Sequence, residues 1–88
     1  MIPEIHPNAL KHLRREEVIE AWFSVSKCIQ RASDDEPPRW LMIGWLADGR
    51  SVELIAVQLA GGWLVIHAKA PVEKKFAAEI DKTERGLL

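Results

Sequence analysis

Arg39-Trp-Leu-Met-Ile-Gly-Trp-Leu-Ala47, Asp48-Gly49-Arg50, Ser51-Val-Glu-Leu-Ile-Ala-Val-Gln-Leu-Ala60, Gly61-Gly62 and Trp63-Leu-Val-Ile-His-Ala-Lys69 follow one another without a break, and this stretch decides the fold. Asp-Gly and Gly-Gly tolerate the positive φ angles that tight hairpins demand, so the three apolar runs predict an antiparallel meander. With two-residue loops, opposing residues sum to a constant and share a face. Leu41, Ala56 and His67 then form one row, with Ile43, Leu54 and Lys69 on one side of it and Arg39, Gln58 and Val65 on the other. The reverse face carries Trp40, Met42, Leu46, Ile55, Val57, Leu59, Leu64, Ile66 and Ala68, broken only by Ser51 and Glu53, and is the expected core. Trp45, Val52 and Trp63 stand with Arg39, Gln58, His67 and Lys69 on the first face. That mixed face is expected to be half-exposed or covered by a partner, and to hold any site.

The flanking segments predict helices. Pro3 to His6 reads as a short edge strand and Pro7 to His12 as a helical turn or two, with Asn8 or His6 near its cap. Val18, Ile19, Trp22 and Phe23 have the spacing of a helix that buries one stripe. Val25 to Arg31 fits either an extension of that helix or a short strand, and we favour the strand. Ser33 to Pro38 is a solvated acidic loop, because two prolines cannot continue a helix. Pro71 to about Glu84 reads as a helix with Phe76, Ala77 and Ile80 inward and Lys74, Lys75 and Lys82 outward. Beyond it, Arg85 to Leu88 is expected to fray. The order is that of an α+β domain, an antiparallel meander sheet packed against helices.

Composition sets further bounds. The 88 residues suffice for one domain with one core, and an apolar fraction of 48% argues against disorder. One cysteine, Cys28, excludes an internal disulfide framework. No signal-peptide pattern opens the chain and no apolar run approaches ~20 residues, so a cytoplasmic location is expected. Twelve basic and 13 acidic side chains give a formal net charge of −1. Binding to nucleic acid therefore needs a local basic patch.

Three groups of residues resemble a known family. They are Lys11-His12 with the helix from Arg15 to Trp22; Arg39-Trp-Leu-Met-Ile-Gly44 followed by Asp48-Gly49-Arg50; and Leu64-Val-Ile-His-Ala-Lys69 leading into Glu73-Lys-Lys-Phe76. Together they resemble the BrnT-type toxins of bacterial type II toxin-antitoxin pairs, small relatives of the RelE-fold ribonucleases. The resemblance implies a metal-independent endoribonuclease that cuts RNA, needs no cofactor, and is neutralised by a cognate antitoxin. Such cleavage requires a base for the 2′-hydroxyl, a cation for the phosphorane-like transition state and an acid for the leaving oxygen. By that resemblance, His67, Lys69 and Arg50 supply these roles, and Arg39, Lys74 and Lys75 hold flanking phosphates. The chain departs from the family pattern in having no tyrosine, and Phe76 cannot exchange a proton.

Plainer readings stand beside these. His67 could be a packed strand histidine, and Lys69, Lys74 and Lys75 an ordinary solvated face. Cys28 reads as a small buried apolar residue. His6, His12 and His67 lack zinc-like spacing, so no metal is expected. Trp45 and Trp63 on the mixed face would suit RNA or a protein partner. The alternative to a ribonuclease is therefore a non-catalytic interaction module, or a homo-oligomer, that uses the same face.

Overall fold

A computed structural model describes residues 1–87. Strand β1 (Glu4–Ile5) runs into a single 3₁₀ turn (Pro7–Leu10), which His6 caps by accepting the Asn8 N–H on Nδ1 at 3.0 Å. Helix α1 (Arg15–Phe23) starts with the Glu17 carboxylate accepting the Arg14 N–H at 2.9 Å. Strands β2 (Lys27–Gln30), β3 (Trp40–Trp45), β4 (Ser51–Leu59) and β5 (Gly62–Lys69) then build the sheet, and helix α2 (Lys74–Glu84) follows. The segment from Val25 to Arg31 thus contains the favoured strand. In the sheet the strand order is β1-β5-β4-β3-β2, with β1 parallel to β5 and every other pair antiparallel.

The hairpin register differs from the expected one by a residue, and the reason lies in the turns. Leu46 and Arg50 close the first hairpin around a three-residue loop, Ala47-Asp48-Gly49, with Gly49 at φ 92°. A glycine in the left-handed region is what a three-residue hairpin loop requires. Leu41 therefore opposes Ile55, and Met42 opposes Leu54. The second hairpin turns through Ala60-Gly61, Leu59 opposing Gly62, two residues from the expected register, and an irregularity at Ile55/Ala56 takes back one of the two, so that His67 opposes Ile55. Because side chains alternate, a slip of one residue exchanges the two faces of a strand.

The consequence is a sheet covered on both sides. Val52, Leu54, Ala56 and Val65, expected on the mixed face, join Met42, Leu46 and Ala68 in the main core beneath Ala9, Leu13, Val18 and Ala21. The opposite face carries a smaller cluster in which Phe76 and Ile80 of α2 pack on Leu41, flanked by Ile29, Ile43 and Ile55. Ile55 and Glu53 thus lie across the sheet from the main core.

Four local expectations are corrected. Phe23 is 59% exposed, since α1 buries Val18 and Ala21 and ends at Phe23. Cys28 is exposed, because β2 is the outermost strand. Helix α2 begins at Lys74 rather than Pro71, and Ala77 faces solvent, leaving Phe76 and Ile80 as the buried pair. After α2 the backbone is hydrogen-bonded back onto the helix through Leu87. Gly86, at φ 72°, donates its N–H to Thr83 O and Leu87 donates to Lys82 O, the paired bonds of a Schellman cap. Leu88 lies outside the described residues.

Candidate functional site

Strand β4 carries one acidic side chain in an otherwise apolar stretch, and its surroundings explain how it is tolerated. Glu53 is 4% exposed. A buried carboxylate is costly unless its oxygens are hydrogen-bonded. Both are. Oε1 accepts the backbone N–H of Glu73, the N-cap of α2, at 2.8 Å, and Oε2 lies 2.8 Å from His67 Nε2. One turn-forming segment is thereby pinned to the sheet twice, since Val72 N–H also donates to Ser51 Oγ at 3.1 Å. These two tethers hold Val72 and Glu73 against the sheet, with Glu73 in extended backbone, and the helix begins at Lys74.

His67 and Lys69 share the α2 face of β5, opposite Ile55 and Glu53. They stand ~7 Å apart along the strand. The imidazole is 34% exposed and lies at the edge of a groove of ≈ 210 Å³. It is lined by Glu53 and Ile55 of β4, by Arg31, and by Lys75, Phe76 and Glu79 of α2. Arg31 grips Glu79 through a two-pronged contact, Nε to Oε2 at 2.7 Å and a terminal nitrogen to Oε1 at 3.1 Å. Lys69 Nζ reaches Glu73 at 3.1 Å. The groove thus pairs most of its cations with its own carboxylates. Lys75 has no ion-pair partner among the described residues.

The remaining expected site residues are scattered. Arg50 sits at the first hairpin, where it bonds Asp48 at 2.8 Å and Glu17 at 3.0 Å, in a separate depression with Arg14, Glu20 and Ala47. The Asp48 carboxyl is held below its usual range by the backbone N–H of Arg50 and then by its guanidinium. Glu17 is lowered likewise, first by the Arg14 N–H and then by Arg50. Arg39 is half-buried and donates to Pro37 O at 3.3 Å. Lys74 is exposed at the start of α2. Trp45 is 43% exposed and donates Nε1–H to Ser26 Oγ at 3.0 Å. Trp63 belongs to the opposite face, where it packs at a tilt against Trp22 and edge-on against Trp40, with ring centroids 5.7 and 6.0 Å away.

Two features escaped the sequence reading. The sequence pattern puts Glu53 on the core face and marks neither Arg31 nor Glu79. The available signal was Glu53 itself, an acidic residue inside an apolar strand, which calls for a buried partner. His67 is that partner once the register is corrected.

Fold and site together define an α+β protein with a five-stranded sheet, a helix on each face, and a carboxylate-held histidine under the second helix. No protein-family model, no curated protein and no solved structure matches this chain.

Proposed function

We propose that this chain is a BrnT-type toxin with a RelE-like fold, a metal-independent endoribonuclease that cuts RNA and is neutralised by a cognate antitoxin. One observation carries the reading: a partly exposed imidazole is held by a buried carboxylate at a groove edge, with an ammonium on the same strand face. A histidine so placed is within reach of a bound ligand and can exchange a proton with it without a metal.

In this reading His67 removes the 2′-hydroxyl proton of a bound ribonucleotide. The freed 2′-oxygen attacks the adjacent phosphorus, the bond from phosphorus to the 5′-oxygen breaks, and a 2′,3′-cyclic phosphate forms. Lys69 balances the charge gathering on the phosphoryl oxygens and gives a proton to the leaving 5′-oxygen. Its ion pair with Glu73 must open for this. Lys75 and Arg31 hold a flanking phosphate, while Lys74 and Arg39 extend the track. Arg50 plays no part at this groove, because Asp48 and Glu17 engage it at the other depression. Trp45 is the exposed aromatic on the same sheet face and serves as an anchor for the antitoxin; Trp63, on the other face, does not.

The test is direct. Antitoxin-free protein incubated with RNA in the presence of a chelator should yield fragments ending in cyclic phosphate, and His67→Ala should abolish them. Expression should arrest growth, with relief by the neighbouring gene product. Intact RNA and unimpeded growth would defeat the proposal.

A second reading rests on the self-paired cations of the groove and on the apolar side chains left outside: Met1, Ile2, Phe23, Trp45 and Leu59 are each at least 41% exposed. In it the chain is a non-catalytic interaction module or homo-oligomer. A stable dimer by light scattering, together with inert behaviour toward RNA, would select it.

A further inference from the structure

We infer that Glu53 is a positioning residue that fixes His67 as its Nε2–H tautomer, leaving Nδ1 as the lone-pair nitrogen open to a ligand. An ionised carboxylate has acceptors only. With Oε1 already taken by the Glu73 N–H, the short contact at Oε2 is filled by a proton carried on His67 Nε2. Neutral imidazole carries one N–H, so Nδ1 is left with its lone pair. Nδ1 has no hydrogen-bond partner among the described residues, and no buried side-chain nitrogen or oxygen there lacks a partner, so Nδ1 is reached by solvent.

The same carboxylate reaches the N-cap of α2, the helix that supplies Lys75 and Glu79 to the groove. One side chain therefore sets both the orientation of the imidazole and the seat of the helix opposite it. The catalytic consequence rests on the ribonuclease reading; the assignment of the tautomer does not. If His67 is the base, the proton it takes from a 2′-hydroxyl arrives at Nδ1, and Glu53 holds the positive imidazolium that results.

Replacing Glu53 by Gln separates the two duties. The glutamine carbonyl can still accept the Glu73 N–H, but the group facing His67 becomes an NH₂ donor, which requires a lone pair on Nε2. E53Q therefore drives the proton to Nδ1 and removes the acceptor from the groove.

The experiment is nitrogen-15 NMR of the imidazole in the full chain at about pH 8, where an ordinary imidazole is neutral. The wild type should show a protonated Nε2 and an unprotonated Nδ1, and E53Q the reverse. A wild-type spectrum with the proton on Nδ1 overturns the inference, and this arm needs no variant to fold. An unchanged tautomer in a folded E53Q overturns it equally. In the cleavage assay kcat should fall at least 100-fold in E53Q with KM within threefold of wild type, as expected when a base is lost and binding is kept. An E53Q as active as wild type refutes the positioning role, whereas a wild type that leaves RNA intact refutes the ribonuclease reading and leaves the tautomer result to decide the inference.

Discussion

Gly44 of β3 lies directly against the Ala21 carbonyl of α1, and a Cβ on Gly44 would overlap both the oxygen and the carbon of that group. Here the helix backbone touches the sheet backbone, which only a residue without a side chain allows. Gly44→Ala must push α1 outward from the core that Val18 and Ala21 share with Met42 and Val52. Overpacking of this kind costs about 1–3 kcal/mol. Urea denaturation should show the midpoint falling with the slope unchanged, while Gly61→Ala, whose Cβ would meet no atom within 4 Å, should stay near wild type.

Helix α2 is held by a small cluster, so its packing should fail locally. Phe76 is 6% exposed and meets Leu41 and Ile80. Phe76→Ala should cost about 3–5 kcal/mol at a well-packed site. Hydrogen exchange should report the loss first in the amides of α2, before those of β4.

The contact between Arg31 and Glu79 adds a smaller share. Both side chains are more than a quarter exposed, 29% and 27%. A pair in that setting is worth up to about 1 kcal/mol. Glu79→Gln should lower stability by no more than that and, by freeing the Arg31 guanidinium in the groove, should strengthen RNA binding in a filter assay at low salt. Binding unchanged or weakened would remove Arg31 from the phosphate track.

The cluster at the first hairpin predicts an acid response. Glu17 and Asp48 have their carboxyl groups lowered from ordinary values of 4.5 and 3.8, chiefly by backbone N–H donors and secondarily by Arg50. Folding therefore favours their charged forms. Their contribution is complete above the ordinary values and disappears as pH falls through the lower folded ones. Denaturant midpoints measured from pH 6 downward should decline below about pH 4.5, and Arg50→Gln should shrink that decline without abolishing it, since the backbone donors remain. Added salt should shrink it too, because exposed pairs are screened.

In the proposed ribonuclease reaction His67 and Lys69 are the proton-transfer groups. His67→Ala and Lys69→Ala should each reduce cleavage by at least 100-fold, the ordinary range for a lost proton-transfer group. Arg50→Ala should leave it within twofold of wild type while weakening the hairpin. Equal losses in all three variants would return Arg50 to the site.

The strands, the helices and their order could be read from the chain because they rest on local chemistry: Asp48-Gly49 for a turn, alternating apolar runs for strands, Phe76 and Ile80 one helical turn apart. His67 and Lys69 also fell on one face by simple alternation, which no register error can undo within a single strand. What the chain alone could not reveal was which neighbours that face would meet. One added residue in the first loop and the irregularity at Ile55/Ala56 exchanged the faces of β4 relative to its partners, placing Leu54 in the main core and Glu53 beneath His67. Loop length is decided by how the hairpin closes against α1 and the rest of the sheet. The same holds for Arg31 and Glu79, 48 residues apart, which meet only because α2 folds back across β2. Short-range order belongs to the sequence, where a few dihedral preferences decide it; the partners of the buried carboxylate belong to the tertiary structure, because an unpaired charge in the interior forces the packing around it to supply them.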